Sequence, residues 1–282
     1  MCWKCGSCQP LESVSPTGAP RILRGCHPHF QQFLNRERSE KVVGGPECLS
    51  WGFVRGPHEN TEGPGPLLFH FPTGGNMLKL YAAKGACSMA PHIIIHELGL
   101  PYELRLIQLS DTAAREELKK VNPMGQVPTL VTDEGWSLAE GQAIMQYLVS
   151  KKPNKLFPES GKERFKAFEW MSFIATALHK GGFSPLFNPK NLSDNESHFE
   201  TIRRVTLEKL KTLLQVTEER FSNDEYALGK DFTVVDAYLF VVLNWSKAFK
   251  IDLSIYKKLS SFMERMRTRP SVMAAMKAEG SL

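Results

Sequence analysis

The sequence predicts an α/β domain with a small mixed sheet, followed by an all-helical domain. Strand and helix patterns alternate over residues 77–157, whereas only helical patterns follow. A proline-containing segment near 153–158 separates the two stretches. We therefore expect domains at 77–157 and 163–282, and 282 residues are enough for two domains of this size.

The first domain is predicted to contain a strand, a helix, a strand, a helix, a hairpin and a helix. Apolar residues alternate in LKLYA and YELRLIQL as they do in strands, and the hairpin turns at DEG, residues 133–135. Ser88 and Gly99 are placed to cap the first helix. The six segments are expected at 78–82, 88–99, 102–109, 111–121, 128–138 and 139–152.

The second domain is predicted to contain five helices. Thr233 and Asp236, three residues apart, predict a structural cap at the start of the third. The apolar run AYLFVVL at 237–243 predicts a buried helix, because a membrane span needs about 18 apolar residues. The helices are expected at 161–181, 193–222, 233–249, 255–268 and after Pro270.

Composition excludes several classes of function. The net charge is +5, and Lys and Arg are scattered among Asp and Glu rather than gathered in a nucleic-acid-binding patch. The N-terminal MCWKCGSCQP lacks the apolar segment of a signal peptide. We therefore expect a cytoplasmic protein with reduced thiols that binds neither nucleic acid nor a membrane.

Residues 1–76 differ in composition from the rest. They hold nine of the 18 prolines, 11 of the 21 glycines and five of the six cysteines. We expect a disordered extension or a mis-assigned start rather than a domain. Some of its residues raise the question of a metal site: Cys2, Cys5, Cys8, His27 and His29. No second ligand pair follows at zinc-site spacing, so we expect no metal.

Cys87 is the only cysteine from Met77 onwards, and it stands just before a predicted helix. Unpaired N–H groups at a helix start stabilise a thiolate, which predicts a lowered pKa. A lone cysteine is, however, commonly a buried, inert residue. The glycine-led loop after a strand is where ligand sites of α/β domains gather, so the two interpretations are about equally favoured.

Three further motifs each have a structural and a functional interpretation. The Val127–Pro128 bond in NPMGQVPTL is either an ordinary trans bond, slightly favoured, or a cis bond that leaves the Val127 backbone free to pair with a peptide. Glu140 and Gly141 open a helix and either bind a ligand or complement the helix dipole. His179 and Lys180 end a helix, and on their own they indicate only a polar last turn.

Taken together, the ordered motifs resemble those of the cytosolic glutathione S-transferases, within them the bacterial beta class. The motifs are KGACSMAPHI, NPMGQVPTL, AEGQAIMQYL, EWMSFIATALHKG, FTVVDAYLF and FMERMRTRPSV, spread over residues 77–282. The resemblance implies a thioredoxin-like N-terminal domain, an all-helical C-terminal domain and a homodimer. It further implies a transferase of detoxification or stress response that joins glutathione, its co-substrate, to hydrophobic electrophiles.

The resemblance also implies roles for particular residues. Cys87 would face the glutathione sulfur, Val127 would pair with the tripeptide backbone, and Glu140 and Gly141 would hold the γ-glutamyl end. The remaining implied residues come from the first C-terminal helix: Ser172, where the family often has Asn, Thr176, His179 and Lys180. Cys87, His179 and Lys180 are the implied catalytic residues, with protonated His179 helping to stabilise the thiolate.

Two questions stay open within the resemblance. The family often has a lysine for the glycyl carboxylate where this chain has Thr112, so Arg115, Lys119 or Lys120 would take its place. Phe183 and Phe187 would wall the electrophile site. The alternatives to conjugation are disulfide exchange or peroxidase chemistry through Cys87, and a non-enzymatic binding protein of the same fold.

Overall fold

The computed structural model of the protein describes residues 77–281. The predictions made for residues 1–76, including the cysteines and histidines considered as metal ligands, lie outside the described residues. Within 77–281 no helix combines the length and the apolar composition needed to cross a membrane.

Four strands form one mixed sheet, which confirms the predicted α/β domain. They are β1 (Leu78–Ala82), β2 (Tyr102–Leu106), β3 (Thr129–Val131) and β4 (Ser137–Ala139), in the spatial order β2-β1-β3-β4. β1 runs parallel to β2, and the pairs β1–β3 and β3–β4 are antiparallel. The second strand was predicted to reach 109, but it ends at Leu106 because a turn at 108–111 leads into the next helix.

Three helices cover this sheet: α1 (Met89–Leu98), α2 (Thr112–Lys119) and α3 (Gly141–Ser150). Gly99 ends α1 in the left-handed conformation, with φ 60°, as predicted. The Asp111 side chain accepts hydrogen bonds from the first N–H groups of α2. α1 packs against α3 on one side and against two helices of the second domain on the other.

The second domain is all-helical, as predicted. Its helices are α4 (Gly161–Phe173), α5 (Ser184–Phe187), α6 (Phe199–Arg220), α7 (Val234–Asn244), α8 (Lys257–Thr268) and α9 (Pro270–Ala278). The helix predicted from 193 begins later, because the Asn195 side chain caps a separate turn at Glu196–His198. The first helix, predicted to end at 181, continues past α4 as a π-helical segment, Ile174–Phe183.

The π-helical segment is locked against α6 by two glycines. A Cβ atom on Gly182 would lie 3.0 Å from Leu210 Cδ1, and one on Gly181 would lie 3.1 Å from Lys209 Nζ. A side chain at either position would require its neighbours to shift by a few tenths of an ångström, so the two glycines allow a close approach. Hydrogen bonds in the segment span five residues, as from the Ser184 N–H to the His179 carbonyl, and π-helical turns are frequent at functional sites.

The core is continuous through both domains and centres on α7. Residues 234–243 are all buried, so the apolar run predicted to form a buried helix does so. Thr233 and Asp236 form the predicted capping box at its start. α1 packs against α7 and α9, which places the N-terminus of α1 at the junction of the two domains.

Candidate active site

Two adjoining cavities lie where the two domains meet. The smaller has a volume of about 340 Å³ and reaches the start of α3. The larger, of about 610 Å³, extends past α5. Cys87, Val127, His179 and Lys180 line both, so the cavities join beside the cysteine thiol.

Seven of the eight predicted site residues line the smaller cavity: Cys87, Val127, Glu140, Gly141, Thr176, His179 and Lys180. Ser172 lines neither cavity. Its carbonyl oxygen instead accepts a hydrogen bond of 2.8 Å from the Thr176 hydroxyl. A direct contact of the Ser172 side chain with a ligand in this cavity is therefore not favoured.

Cys87 lies in the loop that joins β1 to α1. Gly85 turns this loop with φ 67°, a conformation that glycine adopts without steric cost. The Cys87 thiol donates a hydrogen bond to the Val127 carbonyl oxygen, with an Sγ to oxygen distance of 3.5 Å. The cysteine and the segment before β3 thus form one continuous wall of the site.

The lowered pKa predicted for Cys87 is wrong. Burial raises the pKa of Cys87 from the ordinary 9.0 to about 11, because a buried thiolate loses its hydration. The Lys180 charge lowers this pKa, the Cys87 and Ser88 N–H groups lower it further, and the Glu140 carboxylate raises it. The helix start therefore acts in the predicted direction, but burial has the larger effect and Cys87 is a neutral thiol at neutral pH.

Ser88 stands at the predicted cap position without capping α1. Its buried hydroxyl accepts a hydrogen bond of 3.0 Å from the Ala83 N–H and donates one of 3.3 Å to the Ala83 carbonyl. These bonds tie the start of α1 to the end of β1. They fix the length and shape of the loop that carries Cys87.

Two side chains from the second domain hold the same loop, and sequence reasoning missed both. The buried Glu279 carboxylate accepts a hydrogen bond of 3.1 Å from the Gly85 N–H, and its other oxygen lies 2.9 Å from His92 Nδ1. The Trp245 indole N–H donates to the Gly85 carbonyl at 2.8 Å. Glu279 is 194 residues from Gly85 and Trp245 is 160, so no local pattern could have predicted either contact.

The Val127–Pro128 bond is cis, the alternative that the sequence alone did not favour. Val127 precedes the first paired residue of β3, Thr129. A Cβ atom on Gly141 would lie 3.5 Å from Pro128 Cγ, an ordinary contact distance. The start of α3 therefore packs directly beside the Val127 segment, and together they form one side of the smaller cavity.

Glu140 has an unusual backbone conformation, with φ 65° and ψ 115°. Positive φ is uncommon for a residue other than glycine, and such strain clusters at functional sites. The exposed Glu140 side chain makes no capping hydrogen bond to α3. Glu140 therefore does not cap α3 through a side-chain hydrogen bond.

His179 is held by Tyr238 of α7, a residue that sequence reasoning missed. His179 Nδ1 and the Tyr238 hydroxyl share a hydrogen bond of 2.8 Å. Burial and, to a smaller extent, the adjacent Lys180 charge lower the pKa of His179 from 6.5 to about 4. The expectation of a protonated His179 is therefore wrong, and Lys180 supplies the positive charge beside the thiol.

The larger cavity has an aromatic wall. Phe187 is 52% exposed and lines the cavity, as predicted, whereas Phe183 is fully buried and does not. Trp245 also lines it, with its ring centre 5.7 Å from that of Phe187. The prediction from the sequence is therefore confirmed for Phe187 and wrong for Phe183, and it missed Trp245.

The three candidates for binding a glycyl carboxylate lie in different surroundings. Arg115 lines the larger cavity beside Gly125 and Gln126. Lys119 forms an ion pair of 2.7 Å with Glu116. Lys120 lines neither cavity. Of the three, only Arg115 faces the site.

Two family models match this chain, and together they cover most of residues 80–270. The model of the glutathione S-transferase N-terminal domain matches residues 80–156, and that of the glutathione S-transferase C-terminal domain matches residues 174–270. The boundary between the two models falls near the predicted linker.

Individual relatives agree with the family models. The chain is 41% identical over 207 residues to glutathione S-transferase GstA of Escherichia coli, covering 72% of this chain and 99% of that protein. It resembles the bacterial glutathione S-transferase BphK, solved as a ternary complex, with TM-score 0.65 and 40% identity over 72% of this chain and 99% of that one. It also resembles the beta-class enzyme of Sphingomonas chungbukensis, with TM-score 0.65 and 34% identity over 72% of this chain and all of that one. The chain therefore belongs to the glutathione S-transferase family.

Proposed function

We propose that this protein conjugates glutathione, through its thiolate, to electrophiles with an apolar body. The observation that carries the proposal is the pair of cavities that join beside Cys87. The smaller offers peptide-binding and charged groups, and the larger offers an aromatic wall. Two substrates bound one in each cavity would meet where their reacting atoms must meet.

Glutathione is proposed to lie in the smaller cavity. Val127 pairs with the backbone of the tripeptide, and the Glu140 carboxylate accepts hydrogen bonds from the γ-glutamyl ammonium group. The Gly141 N–H, at the start of α3, donates to the γ-glutamyl carboxylate. The exposed side chain of Glu140 and the absence of a capping bond to α3 support its assignment to a ligand.

The rest of the tripeptide is proposed to contact the second domain and α2. Thr176 and His179 reach it from the π-helical segment, and Ser172 acts through its hydrogen bond with Thr176. Arg115 binds the glycyl carboxylate, and because Arg115 lines the larger cavity, the glycyl end of glutathione extends from the smaller cavity into the larger one. This assignment is supported because Lys119 is already paired with Glu116.

The site is proposed to lower the pKa of the glutathione thiol. A free thiol of this kind titrates near ~8.5, and lowering its pKa by about two units corresponds to roughly 2.7 kcal/mol of thiolate stabilisation. The S–H of Cys87 donates a hydrogen bond, and the positive charge of Lys180 and the start of α1 stabilise the anion. Neutral His179, oriented by Tyr238, contributes a hydrogen bond rather than a charge.

The redox alternative requires Cys87 itself to become the nucleophile. Only the thiolate attacks a disulfide or a peroxide, and burial raises the pKa of Cys87 to about 11. This electrostatic environment favours Cys87 as a hydrogen-bond donor. A non-enzymatic binding protein would not need two cavities that join at a thiol, so this feature favours an enzyme.

We further propose the organisation of the protein in the cell. Residues 77–157 form the glutathione-binding domain, and 163–282 form the domain that completes the electrophile site. The family-model matches at 80–156 and 174–270 support these boundaries. A homodimer in the cytoplasm is proposed from the family and from the free thiol of Cys87, which a reducing compartment preserves.

The test uses the purified full-length protein and two assays. One measures conjugation of glutathione to 1-chloro-2,4-dinitrobenzene, and the other measures reduction of a mixed disulfide by glutathione. Cys87→Ala is expected to spare much of the conjugation rate, since Lys180 and the helix start remain, and to abolish any disulfide exchange. A wild-type protein active only in disulfide exchange would replace the proposal with the redox alternative.

A further inference from the structure

We propose that the electrophile carries an anionic group beside its apolar body, and that Lys84 and Lys190 bind this group. The substrate class is an aromatic carboxylate or sulfonate with a leaving group on the ring. The inference deepens the proposed conjugation and rests on it.

Among the described residues, 77–281, the larger cavity is lined by four cationic side chains: Lys84, Arg115, Lys180 and Lys190. Within the same range its lining contains neither Asp nor Glu. Where walls of one sign surround a cleft, the potential inside attracts ligands of the opposite charge.

Within residues 77–281, these four side chains form no ion pair with an Asp or Glu. Ion pairs in the described part of the chain use other Lys and Arg residues, such as Lys119 with Glu116 and Lys151 with Asp133. None of those ion pairs includes Lys84, Arg115, Lys180 or Lys190. Glu279, near the same loop, is buried and already accepts hydrogen bonds from Gly85 and His92.

Glutathione does not account for all of this positive charge. In the proposed pose its glycyl carboxylate takes Arg115, and its thiolate takes Lys180. Lys84, in the loop between β1 and α1, and Lys190, in the turn after α5, remain. They extend from the two domains, and both are exposed at the cavity.

The same cavity supplies an apolar surface next to the charges. Phe187 and Trp245 present ring faces or edges, and Leu109 is 48% exposed. A flat aromatic ring packs on such a wall, and its anionic substituent reaches a lysine. The smaller cavity differs, because its lining includes the acidic Glu140.

The reaction on such a substrate is an aromatic substitution. Glutathione loses its thiol proton to solvent, and the sulfur lone pair forms a carbon–sulfur bond at the ring carbon that bears chlorine. The carbon–chlorine bond then breaks and chloride leaves with the bonding pair. No oxidant or reductant is needed, and the anionic group is unchanged.

The test compares two electrophiles that share ring and leaving group, 4-chloro-3,5-dinitrobenzoate and the neutral 4-chloro-3,5-dinitrobenzamide. For each, kcat/KM of the full-length protein is divided by the rate constant of the uncatalysed reaction with glutathione. The quotient is expected to be about tenfold higher for the carboxylate, since each charge-assisted contact is worth roughly three- to tenfold at a partly exposed site. Raising the salt from about 0.05 M to about 0.5 M should reduce this preference.

Three variants assign the preference to residues. Lys84→Gln and Lys190→Gln should each lower it about threefold or more, mainly through KM of the carboxylate. Lys257→Gln removes an exposed lysine outside both cavities and is the matched control, expected to leave the preference unchanged. Conjugation of both electrophiles with no preference, or with a preference that the two variants do not change, would overturn the inference and leave the proposed function standing.

Direct binding separates this inference from the proposed function. The unreactive 3,5-dinitrobenzoate should quench the fluorescence of Trp245, and Lys84→Gln and Lys190→Gln should weaken its binding about threefold or more. If neither electrophile is conjugated, the proposed function fails, and this titration still decides whether the cavity binds aromatic anions. No binding, or binding that both variants leave intact, would contradict the inference.

Discussion

The two walls of the smaller cavity are built in different ways. The sheet-side wall consists of Cys87, Val127, Glu140 and Gly141, which lie in loops and at helix starts. The helix-side wall consists of Thr176, His179 and Lys180, which lie within one π-helical segment. The first wall offers the backbone groups of Val127 and Gly141 together with the Cys87 thiol and the Glu140 carboxylate, whereas the second offers side chains from one helix.

This difference suggests a division of work. Backbone groups of fixed geometry suit recognition of a peptide, because little order is lost when it binds. Side chains near the thiol suit stabilisation of the charge that develops in the reaction. Changes at Val127, Glu140 and Gly141 should therefore act on glutathione affinity, and changes at His179 and Lys180 on the rate.

The largest effect is expected at Glu140. Glu140→Gln should raise KM for glutathione about ten- to a hundredfold, since it removes a charge-assisted hydrogen bond worth roughly 1.5–3 kcal/mol. Steady-state kinetics with varied glutathione measure this change. Glu134→Gln, an exposed glutamate at the hairpin turn, is the matched control and should leave KM unchanged. An unchanged KM for glutathione in Glu140→Gln would contradict the assignment of Glu140 to glutathione binding.

The second effect is expected at His179. His179→Ala should lower kcat about tenfold, roughly 1.4 kcal/mol of transition-state stabilisation, with a smaller change in KM for glutathione. Tyr238→Phe, which removes only the partner of His179, should lower kcat about threefold by loosening the imidazole. If both variants raise KM for glutathione and leave kcat unchanged, the helix-side wall would serve substrate recognition rather than the rate.

The third effect concerns stability against pH. Because burial lowers the pKa of His179 from 6.5 to about 4, the unfolded chain binds more protons than the folded one between these pH values. The His179 contribution to stability should therefore rise with pH across this window, by roughly 1–3 kcal/mol. The buried Asp236 carboxyl, whose pKa burial raises to about 6, contributes a slope of opposite sign over part of this window. Denaturant unfolding at several pH values measures this slope.

Two variants test whether His179 is the source of that slope. His179→Gln should remove the His179 contribution to the slope of stability against pH, because the titrating group is gone. His198→Gln, which changes an exposed histidine, should leave it as in wild type. Equal slopes in wild type and His179→Gln would show that other groups control the acid sensitivity.

The smallest effects are expected on the titration of Cys87. Its alkylation rate, followed by mass spectrometry of the peptide that contains Cys87, should have a midpoint above the ordinary 9.0. Lys180→Gln should raise the midpoint and Glu140→Gln should lower it, because the two charges act in opposite directions. A midpoint below 9.0 in wild type would instead support the lowered pKa that the helix start predicts from the sequence.

Local patterns predicted the elements of the fold well. Gly99 at the end of α1 and the Thr233–Asp236 capping box depend only on residues a few positions apart, and both form as predicted. The ordered motifs also identified most of the residues that line the site. These features need no knowledge of what packs around them.

Features that depend on distant contacts were not predictable. The start of α1 is visible in the sequence, but the burial that outweighs its effect on Cys87 comes from the whole fold. The same holds for His179, which α7 buries and Tyr238 fixes. Glu279 reaches the Cys87 loop across 194 residues, and nothing near it in the sequence marks this contact.

The central claim is that this site activates the thiol of glutathione rather than its own cysteine. The most direct test is a pH titration of the ultraviolet thiolate absorbance of glutathione bound to the full-length Cys87→Ala variant. The five cysteines of residues 1–76 remain in this variant, so its titration without glutathione is subtracted. The bound glutathione is expected to have a pKa below the free value of ~8.5, because Lys180 and the start of α1 still stabilise its thiolate. A bound thiol that titrates at the free value, or glutathione that does not bind, would contradict it.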